Sequence, residues 1–413
     1  MRGVFTIAAA VLLSLSLSPT GSHAVHRRQQ PIPHLGHETF LLSGDGSDIM
    51  VMKTKEWHLK IGTAMMRGRR RYFEDACVVT AAVPGQPNVR IQAVFDGHGG
   101  PESAQALAVN LQDVLTAATP FTQHSLEQAC EELERRLKNS VARSGSTAVI
   151  VIVEHLDHKE EVIVQGREIV PSMDGHFDTI QELNSRFTES APREKIEIGN
   201  RERPFKLYVV NVGDSRAMLV TGESYAALTR DHVPDDPEEW RRIEETGDQV
   251  VYSDGCARIR GLAMSRSFGD FVAKEVRTPS PITAKPDIRR FYATWNDVLL
   301  LYSDGLHVDG EDWRTNFGMA KQCISSVPKI SDVAVCLLQQ AYGGGSSDNI
   351  TVLATKFRKF RRQTSAKLRI FGGLAKRFSR ERLLLEENWS FKLQGKAAAV
   401  AAVAGARRST PVC

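Results

Sequence analysis

Short apolar runs separated by polar turns dominate the central part of the chain and are typical of β-strands. The runs are four to eight residues long and rich in Val, Ile, Leu and aromatic side chains. We predict strands over Val89–Phe95, Thr147–Val153, Leu207–Val212, Ala217–Val220, Val298–Tyr302 and Ile350–Phe357. They do not alternate strictly with helices, which argues against a parallel sheet built from βαβ units.

Elsewhere apolar residues recur at every third or fourth position, which is the period of an amphipathic helix. In Pro101–Ala118, for example, Leu107, Leu111 and Leu115 would form one apolar face. Further helices are predicted over Ser125–Val141, Pro237–Thr246 and Ile330–Tyr342. Together the patterns indicate an α+β fold, in which antiparallel sheets pack on one another with helices outside.

Both ends of the chain depart from this pattern. A basic residue, an apolar run over 4–17 and small residues before position 25 predict a signal peptide over residues 1–24. A membrane anchor would need a longer apolar run, and a transit peptide would carry more Arg. Residues 25–60 are polar and predict a mobile leader. We therefore place the folded domain at 61–357, with a charged insertion at 154–206.

Charge is distributed unevenly along the 413 residues, although 53 Lys and Arg nearly balance 49 Asp and Glu. Residues 356–413 hold 15 Lys and Arg against 3 Asp and Glu, a net charge of +12, so the rest of the chain carries −8. The acidic body should repel nucleic acid. The tail, 358–413, fits an anionic membrane, an acidic partner, a nuclear localisation signal or a solvated extension.

The six cysteines are irregularly spaced and include no CxxC pair or zinc-like cluster. A chain of this length can bury a core without disulfides. We therefore expect mostly free, buried thiols.

Four aspartates at the ends of predicted strands carry the strongest chemical signal. They are Asp96, Asp214, Asp304 and Asp348; three have a glycine beside them, and the fourth has an asparagine. One Asp-Gly pair after a strand is usually only a turn. Four aspartates at separate strand ends indicate instead that the fold gathers them into one site.

Carboxylates gathered in this way repel one another unless a cation cancels their charge. Glu74 and Asp75 add two more, and all the candidate donors are hard oxygen ligands, which favours Mg²⁺ or Mn²⁺ over zinc. A site with several carboxylates can hold two ions, which activate a water and hold a phosphoryl group for in-line attack.

Two further residues fit phosphate chemistry. Arg70 precedes Glu74 and Asp75, and an arginine beside a metal cluster can bind phosphate oxygens through two N–H groups. His98 lies two residues after Asp96, from where it can protonate a leaving oxygen as a general acid. For Arg69 and Arg71 the basic run indicates only a solvated surface.

These motifs resemble, in the same order, those of the metal-dependent serine/threonine protein phosphatases of the protein phosphatase 2C family. The resemblance spans residues 61–357. It is carried by Arg70 with Phe73–Asp75, Phe95–Gly100, Gly145–Ala148, Asn211–Arg216, Leu228–His232, Leu262–Asp270, Ser303–Leu306 and Ser347–Asn349.

The resemblance implies a central sandwich of two antiparallel β-sheets flanked by α-helices, with two Mg²⁺ or Mn²⁺ ions at one edge. It implies that Asp96 bridges the ions, that Gly97 contributes its carbonyl, and that Asp304 and Asp348 bind the first metal. Glu74 and Asp75 would bind the second ion or its waters, and Asp214 would bind a weaker third metal. The resemblance also implies that Arg70 binds the substrate phosphate and that His98 is the general acid. The expected substrates are phosphoserine and phosphothreonine proteins, and the expected state is a monomer.

The chain departs from the family pattern after Ser-Asp-Gly-Leu. His307 and Val308 stand where the family has Trp and Asp, and Asp309 follows one residue later. A third metal therefore depends on whether Asp309 takes the place of the missing ligand. The alternative function is a catalytically inactive member that binds phosphoproteins or serves as a scaffold.

The predicted signal peptide places the chain in the secretory pathway. Its destination could be outside the cell, in a storage organelle, or in another cell's cytosol or nucleus, and the sequence does not choose among them.

Overall fold

The apolar runs form two large antiparallel sheets in the computed structural model. The structure describes residues 37–42, 49–56, 58–138, 143–170, 191–253, 255–276, 278–307 and 313–359. The predicted signal peptide, the tail beyond Lys359, Val308, Asp309 and residues 171–190 of the insertion lie outside these ranges.

The described strands are β1 (His37–Leu42), β2 (Ile49–Glu56), β3 (Leu59–Met66), β4 (Ala76–Val83), β5 (Gln86–Phe95), β6 (Gly97–His98), β7 (Gly145–Ser146), β8 (Ala148–His155), β9 (Glu160–Gln165), β10 (Glu168–Val170), β11 (Arg193–Ile198), β12 (Phe205–Val212), β13 (Arg216–Thr221), β14 (Ser224–Ala227), β15 (Val251–Ser253), β16 (Cys256–Arg258), β17 (Phe268–Gly269), β18 (Asp287–Ala293), β19 (Val298–Tyr302) and β20 (Ile350–Phe357). The described helices are α1 (Glu102–Ala117), α2 (Gln123–Lys138), α3 (Pro237–Glu245), α4 (Phe271–Lys274), α5 (Trp313–Ser326) and α6 (Ile330–Gly344). None of them is long and apolar enough to cross a membrane.

The two sheets lie face to face between two layers of helices, as the α+β prediction requires. One sheet has the strand order β1-β2-β3-β20-β19-β13-β14, and the other has the order β11-β9-β10-β18-β12-β8-β5-β4. Within both sheets all the paired strands run antiparallel. Their inner faces form one apolar core, which includes Ile61, Val94 and Leu353.

Alternation along the strands divides side chains between this inner core and the helix layers. On β5, Ile91, Ala93 and Phe95 pack in the cluster that contains Leu107 of α1, whereas Val94 faces the other sheet. Residues of β20 divide in the same way between the inner core and the cluster beneath α5 and α6. These strands are apolar on both faces because both faces are covered.

The structure corrects the predicted mobile leader. Strands β1 and β2 lie within residues 25–60, and β2 pairs with β3 over its whole length, from Ile49 opposite Met66 to Glu56 opposite Leu59. Residues 49–52 are buried in the apolar core. The polar composition of 25–60 as a whole concealed this short apolar strand.

The charged insertion, 154–206, is in part a regular extension of a sheet. Strands β9, β10 and β11 continue the sheet that contains β18 and β12. Val164, Ile169 and Ile198 bury one side of this extension. At the surface Lys195 pairs with Glu161 across two strands, whereas the buried Lys206 pairs with Glu160.

The expectation of mostly free thiols is wrong for two cysteines in the outer helix layer. Cys323 of α5 and Cys336 of α6 form a disulfide. Cys256 is also disulfide-bonded. Cys77 and Cys130 are free and buried, as expected.

The segment that connects β14 to β18, residues 228–286, forms a small subdomain with its own apolar centre of Ile243, Ile259 and Ile282. The buried Glu239 fixes it by pairing with Arg242 and Arg266 at 2.7 and 2.5 Å. Burial alone would raise the pKa of Glu239, but hydrogen bonding and the charge of Arg266 hold it below the usual value. This connecting segment carries Asp270 to the functional site.

At Gly62 of β3 the sheet and the backbone of α6 approach each other closely. A Cβ at Gly62 would lie 2.3 Å from the Ser331 Cα, which belongs to the backbone of α6 and cannot easily move. We expect Gly62→Ala to lower the free energy of unfolding by about 1–3 kcal/mol, measured by urea denaturation. Gly318→Ala in α5 is the control; its Cβ meets nothing within 4 Å. It should stabilise the protein by about 0.5–1 kcal/mol. Equal stabilities for both variants would contradict the packing argument.

Candidate active site

Four strand ends from both sheets bring their aspartates to one edge of the sandwich. Asp75 precedes β4 and Asp96 follows β5 in one sheet, while Asp304 follows β19 and Asp348 precedes β20 in the other. Asp96 and Asp304 are hydrogen-bonded to each other. The structure therefore brings together the core carboxylates that the sequence singles out.

Burial and mutual repulsion disfavour the ionised form of these carboxylates. Burial, together with the charges of Asp348 and Asp304, raises the pKa of Asp75 to about 8 despite a hydrogen bond from Thr351. Burial and Asp348 raise the pKa of Asp304 to about 6. The pKa of Asp96 lies well above its usual value because of burial and the charge of Asp304. A bound divalent cation would remove this penalty.

The arrangement of hydrogen bonds leaves carboxylate oxygens available to a cation. One oxygen of Asp75 accepts from Thr351 Oγ1 at 2.6 Å and from Ser303 Oγ at 3.2 Å. The other oxygen is buried without a hydrogen-bond partner in the described part of the chain, as is one oxygen each of Asp304 and Asp214. Buried polar atoms rarely remain unpaired, so these oxygens fit a hard cation such as Mg²⁺ or Mn²⁺.

No group of three or more carboxylate, imidazole or thiol side chains among the described residues stands ready-made in a metal-binding arrangement. The carboxylates instead bind protein partners: Asp96 to Asp304, and Asp348 to the Arg70 guanidinium at 2.5 Å. The donor set consists only of oxygen atoms, and this chemistry is what the metal prediction rests on.

Asn349 holds the segment that carries Arg70, Glu74 and Asp75 against the start of β20. Its side-chain oxygen accepts from the Glu74 backbone N–H at 2.8 Å. Its amide donates to the carbonyls of Arg67 and Tyr72 at 2.8 and 2.9 Å. The buried Asn349 therefore satisfies three backbone groups of that segment and sets its position.

Two glycines allow backbone segments to meet inside the site. A Cβ at Gly97 would lie 2.3 Å from the Glu74 carbonyl oxygen, and one at Gly305 would lie 1.9 Å from the Asn349 carbonyl oxygen. Glu74 in turn accepts the Gly100 N–H at 2.7 Å. Gly97 thus lies directly beside Glu74. The carbonyl of Gly97 is the one that was predicted to contact a metal.

His98 is paired with Asp270, a residue to which the sequence analysis gives no role. His98 Nε2 lies 2.7 Å from Asp270 Oδ2. Asp270 directly follows the short strand β17, which ends in Gly269, so the strand-end signal that selected the other aspartates also applied to it. The signal was concealed because β17 is only two residues long.

Asp214, just after β12, is buried and interacts electrostatically with Asp304. Burial and the charges of Asp304 and Asp231 raise its pKa well above the usual value. Nearby, Arg216 pairs with Asp231 and lies over the Trp313 ring, 4.8 Å from its centroid. Asp309, on which a third metal depends, lies outside the described residues.

His307, at the family's usual Trp position, is buried. Burial and the charge of Arg216 lower its pKa well below the usual value. A neutral imidazole is therefore part of the packing behind the carboxylates.

Comparison with known proteins agrees with this geometry. The family model of Protein phosphatase 2C matches residues 59–164 and 198–350. The chain belongs to the protein phosphatase 2C family. This confirms the family resemblance, and the unmatched residues between the two ranges lie within the charged insertion.

A solved phosphatase from a pathogenic strain of Toxoplasma gondii is 33% identical, with a TM-score of 0.66, over 75% of this chain and 95% of that one. Among curated relatives, probable protein phosphatase 2C 59 from Oryza sativa subsp. japonica is 30% identical, covering 72% of this chain and 75% of the relative. Protein phosphatase 2C 37 from Arabidopsis thaliana is 28% identical, covering 73% of each. These findings confirm the α+β sandwich and a metal-dependent protein serine/threonine phosphatase, which acts on phosphoproteins.

Cation binding should stabilise this phosphatase measurably. We expect saturating Mn²⁺ to raise the melting temperature by about 5–10 °C over EDTA, since a ligand at 100 times its Kd adds about 2.7 kcal/mol. Asp304→Asn should lose at least half of the shift, because it removes a predicted ligand and relieves repulsion. Asp297→Asn, a buried aspartate that accepts the Thr294 N–H elsewhere in the fold, should keep it. Equal melting temperatures in EDTA and Mn²⁺ would contradict the cation assignment.

The size of this shift should also depend on pH. The raised pKa of Asp75, about 8, means that the cation-free folded state retains a proton that the unfolded state loses near pH 4. Retaining this proton stabilises the folded state at low pH, and this stabilisation is lost as the pH rises towards 8. Mn²⁺ replaces the proton, so its effect on the melting temperature should be larger at pH 8 than at pH 6.

Proposed function

We propose that this phosphatase enters the secretory pathway and hydrolyses phosphoserine and phosphothreonine in proteins with two Mg²⁺ or Mn²⁺ ions. The observation that carries the catalytic part is the meeting of Asp75, Asp96, Asp304 and Asp348 at one edge, with carboxylate oxygens left unpaired. Asp96 and Asp304 come from different sheets, so a shared ion would join the two layers.

In this proposal each residue has a separate task. Asp304 and Asp348 would hold one ion together with Asp96 and the Gly97 carbonyl. Asp96 would also reach the second ion, which Glu74 and Asp75 would hold directly or through its waters. When bound, the ions would supply an activated water and neutralise charge on the phosphoryl oxygens. Asp214 would extend this set towards a third ion.

Arg70 would bind the substrate phosphate. Its side chain is about half exposed, 55%, although one nitrogen is paired with Asp348. The remaining N–H groups of its planar guanidinium can donate to two phosphate oxygens at once. The ion pair with Asp348 limits the orientations that Arg70 can adopt, so it holds the guanidinium at the rim of the carboxylate cluster.

His98 would supply the proton that the departing seryl or threonyl oxygen needs. Its side chain is 25% exposed, enough for a substrate to reach it. The same strand end places it two residues from Asp96, so the proton donor and the carboxylates share one rigid support.

The catalytic proposal predicts phosphate release from a phosphoserine peptide that requires Mn²⁺ or Mg²⁺. Asp96→Ala and Asp304→Ala should each reduce release to the background rate, because each removes a carboxylate at the centre of the cluster. Asp297→Asn should retain activity and serves as the matched control. Undiminished turnover in EDTA, or in either alanine variant, would contradict the proposal; the inactive-scaffold alternative predicts no turnover in the unmodified protein.

The disulfide supports the secretory part of the proposal. Cys323 and Cys336 join α5 and α6, and such bonds persist mainly in oxidising compartments. The predicted signal peptide over residues 1–24 gives the route of entry.

A secretory route exposes the chain to N-glycosylation, and the fold predicts where no glycan will be found. Asn349-Ile350-Thr351 is a formal acceptor sequence. Asn349 is buried, and its amide is bonded to two carbonyls inside the site. We expect mass spectrometry of protein purified from a secreting host to find Asn349 unmodified and Cys323 bonded to Cys336. A glycan on Asn349 would contradict its place in the site, and reduced thiols at both cysteines would count against the route.

A further inference from the structure

The His98–Asp270 contact is built into the backbone of a small three-stranded sheet. His98 of β6 and Gly269 of β17 are both paired with Gly145 of β7. The imidazole and the carboxylate therefore approach each other over Gly145. A Cβ at Gly145 would lie 2.1 Å from Asp270 Oδ2 and 2.3 Å from His98 Nε2. The missing side chain of Gly145 provides the space in which they meet.

Several contacts hold the Asp270 carboxylate in place. Ser267 Oγ donates to the same oxygen, Oδ2, at 2.6 Å. The Asp270 backbone N–H donates to the Ser144 carbonyl at 3.1 Å. Asp270 itself has a left-handed conformation with φ of +52°, which Asp and Asn adopt more readily than other non-glycine residues. Its side chain is buried, at 6% exposure, whereas that of His98 is partly open.

The turn before Asp270 is also anchored to the helix layer. Glu134 of α2 accepts the Gly269 N–H at 2.9 Å and binds Lys274 of α4 at 2.5 Å. The same Lys274 donates to the Ser267 carbonyl at 2.7 Å. Asp270 is therefore anchored through residues on both sides of it in the chain, independently of its contact with His98.

We propose that Asp270 is a positioning residue, which binds His98 through Nε2 and leaves Nδ1 as the nitrogen that protonates the leaving oxygen. A carboxylate only accepts hydrogen bonds, so Nε2 must carry the hydrogen in this pair. The inference rests on the proposed role of His98 as general acid. It adds which nitrogen acts and which residue is responsible.

The proton balance follows from this arrangement. Hydrolysis forms a bond between phosphorus and a water oxygen and breaks the bond between phosphorus and the seryl oxygen, which leaves with the electron pair. The proton on His98 Nδ1 goes to that oxygen, so the product is a neutral alcohol. A proton released by the attacking water restores His98 through solvent.

The experiment compares two leaving groups with Asp270→Asn in the Mn²⁺-loaded enzyme. A seryl oxygen needs a proton in order to leave, whereas nitrophenolate leaves readily without one. We expect kcat/KM for a phosphoserine peptide to fall by about 10- to 100-fold. For p-nitrophenyl phosphate we expect a fall of less than about threefold, because general acid catalysis contributes little there. Asp297→Asn, the remote buried aspartate, should change both substrates equally.

A double variant tests whether Asp270 acts through His98. If it does, His98→Ala with Asp270→Asn should be no slower on the phosphopeptide than His98→Ala alone. Equal losses on both substrates, or additive losses in the double variant, would overturn the inference and indicate a purely structural role.

Two controls keep the outcomes separate. If Asp270→Asn does not fold, Ser267→Ala is the second variant, because it removes one hydrogen bond from the same Asp270 oxygen. It should change the ratio of kcat/KM values for the two substrates in the same direction by a smaller factor. An unchanged ratio would overturn the inference. If the unmodified enzyme with Mn²⁺ releases no phosphate from the peptide, the proposed function itself fails and this inference falls with it. Peptide turnover in the unmodified enzyme with an unchanged ratio in Asp270→Asn rejects the positioning role alone.

Discussion

Repulsion among buried carboxylates at one edge of the sandwich is the constraint on which the functional structure depends. The carboxylates come from strands of both sheets, so packing the inner core forces them together. Hydrogen bonds from Thr351 and Ser303 and the ion pair with Arg70 offset part of the repulsion. The rest is left for a divalent cation, which makes metal binding part of the stability of this edge as well as of the chemistry.

Close backbone contacts convert this cluster into a site with fixed geometry. Gly97 and Gly305 allow carbonyl groups of neighbouring segments to approach where any side chain would collide. Asn349 binds three backbone groups of the segment that carries Glu74. Small residues and one buried amide therefore determine where the acidic side chains lie. The placement of these side chains, and not their charge alone, decides whether the site can hold a phosphate.

The connecting segment extends the same principle to His98, the proposed general acid. Its buried ion pairs hold it against the sandwich, and it reaches the site through Asp270, which contacts His98. In the outer layer, a disulfide joins α5 to α6. The two regions are stabilised differently. Charge pairs fix the segment that contacts His98, and a covalent bond joins the helices that cover one of the sheets.

The sequence by itself determined the strand and helix types and the core carboxylates, because these depend on local patterns of period two, period 3.6 and strand-end aspartates. It did not reveal β2 as part of the folded domain, the Cys323–Cys336 bond or the Asp270 contact. Each of these depends on which distant segments pack together: β2 on its pairing with β3, the bond on the approach of two helices, and the contact on the register of three very short strands around Gly145. Tertiary structure decided them because no local pattern records the distance between residues far apart in the chain.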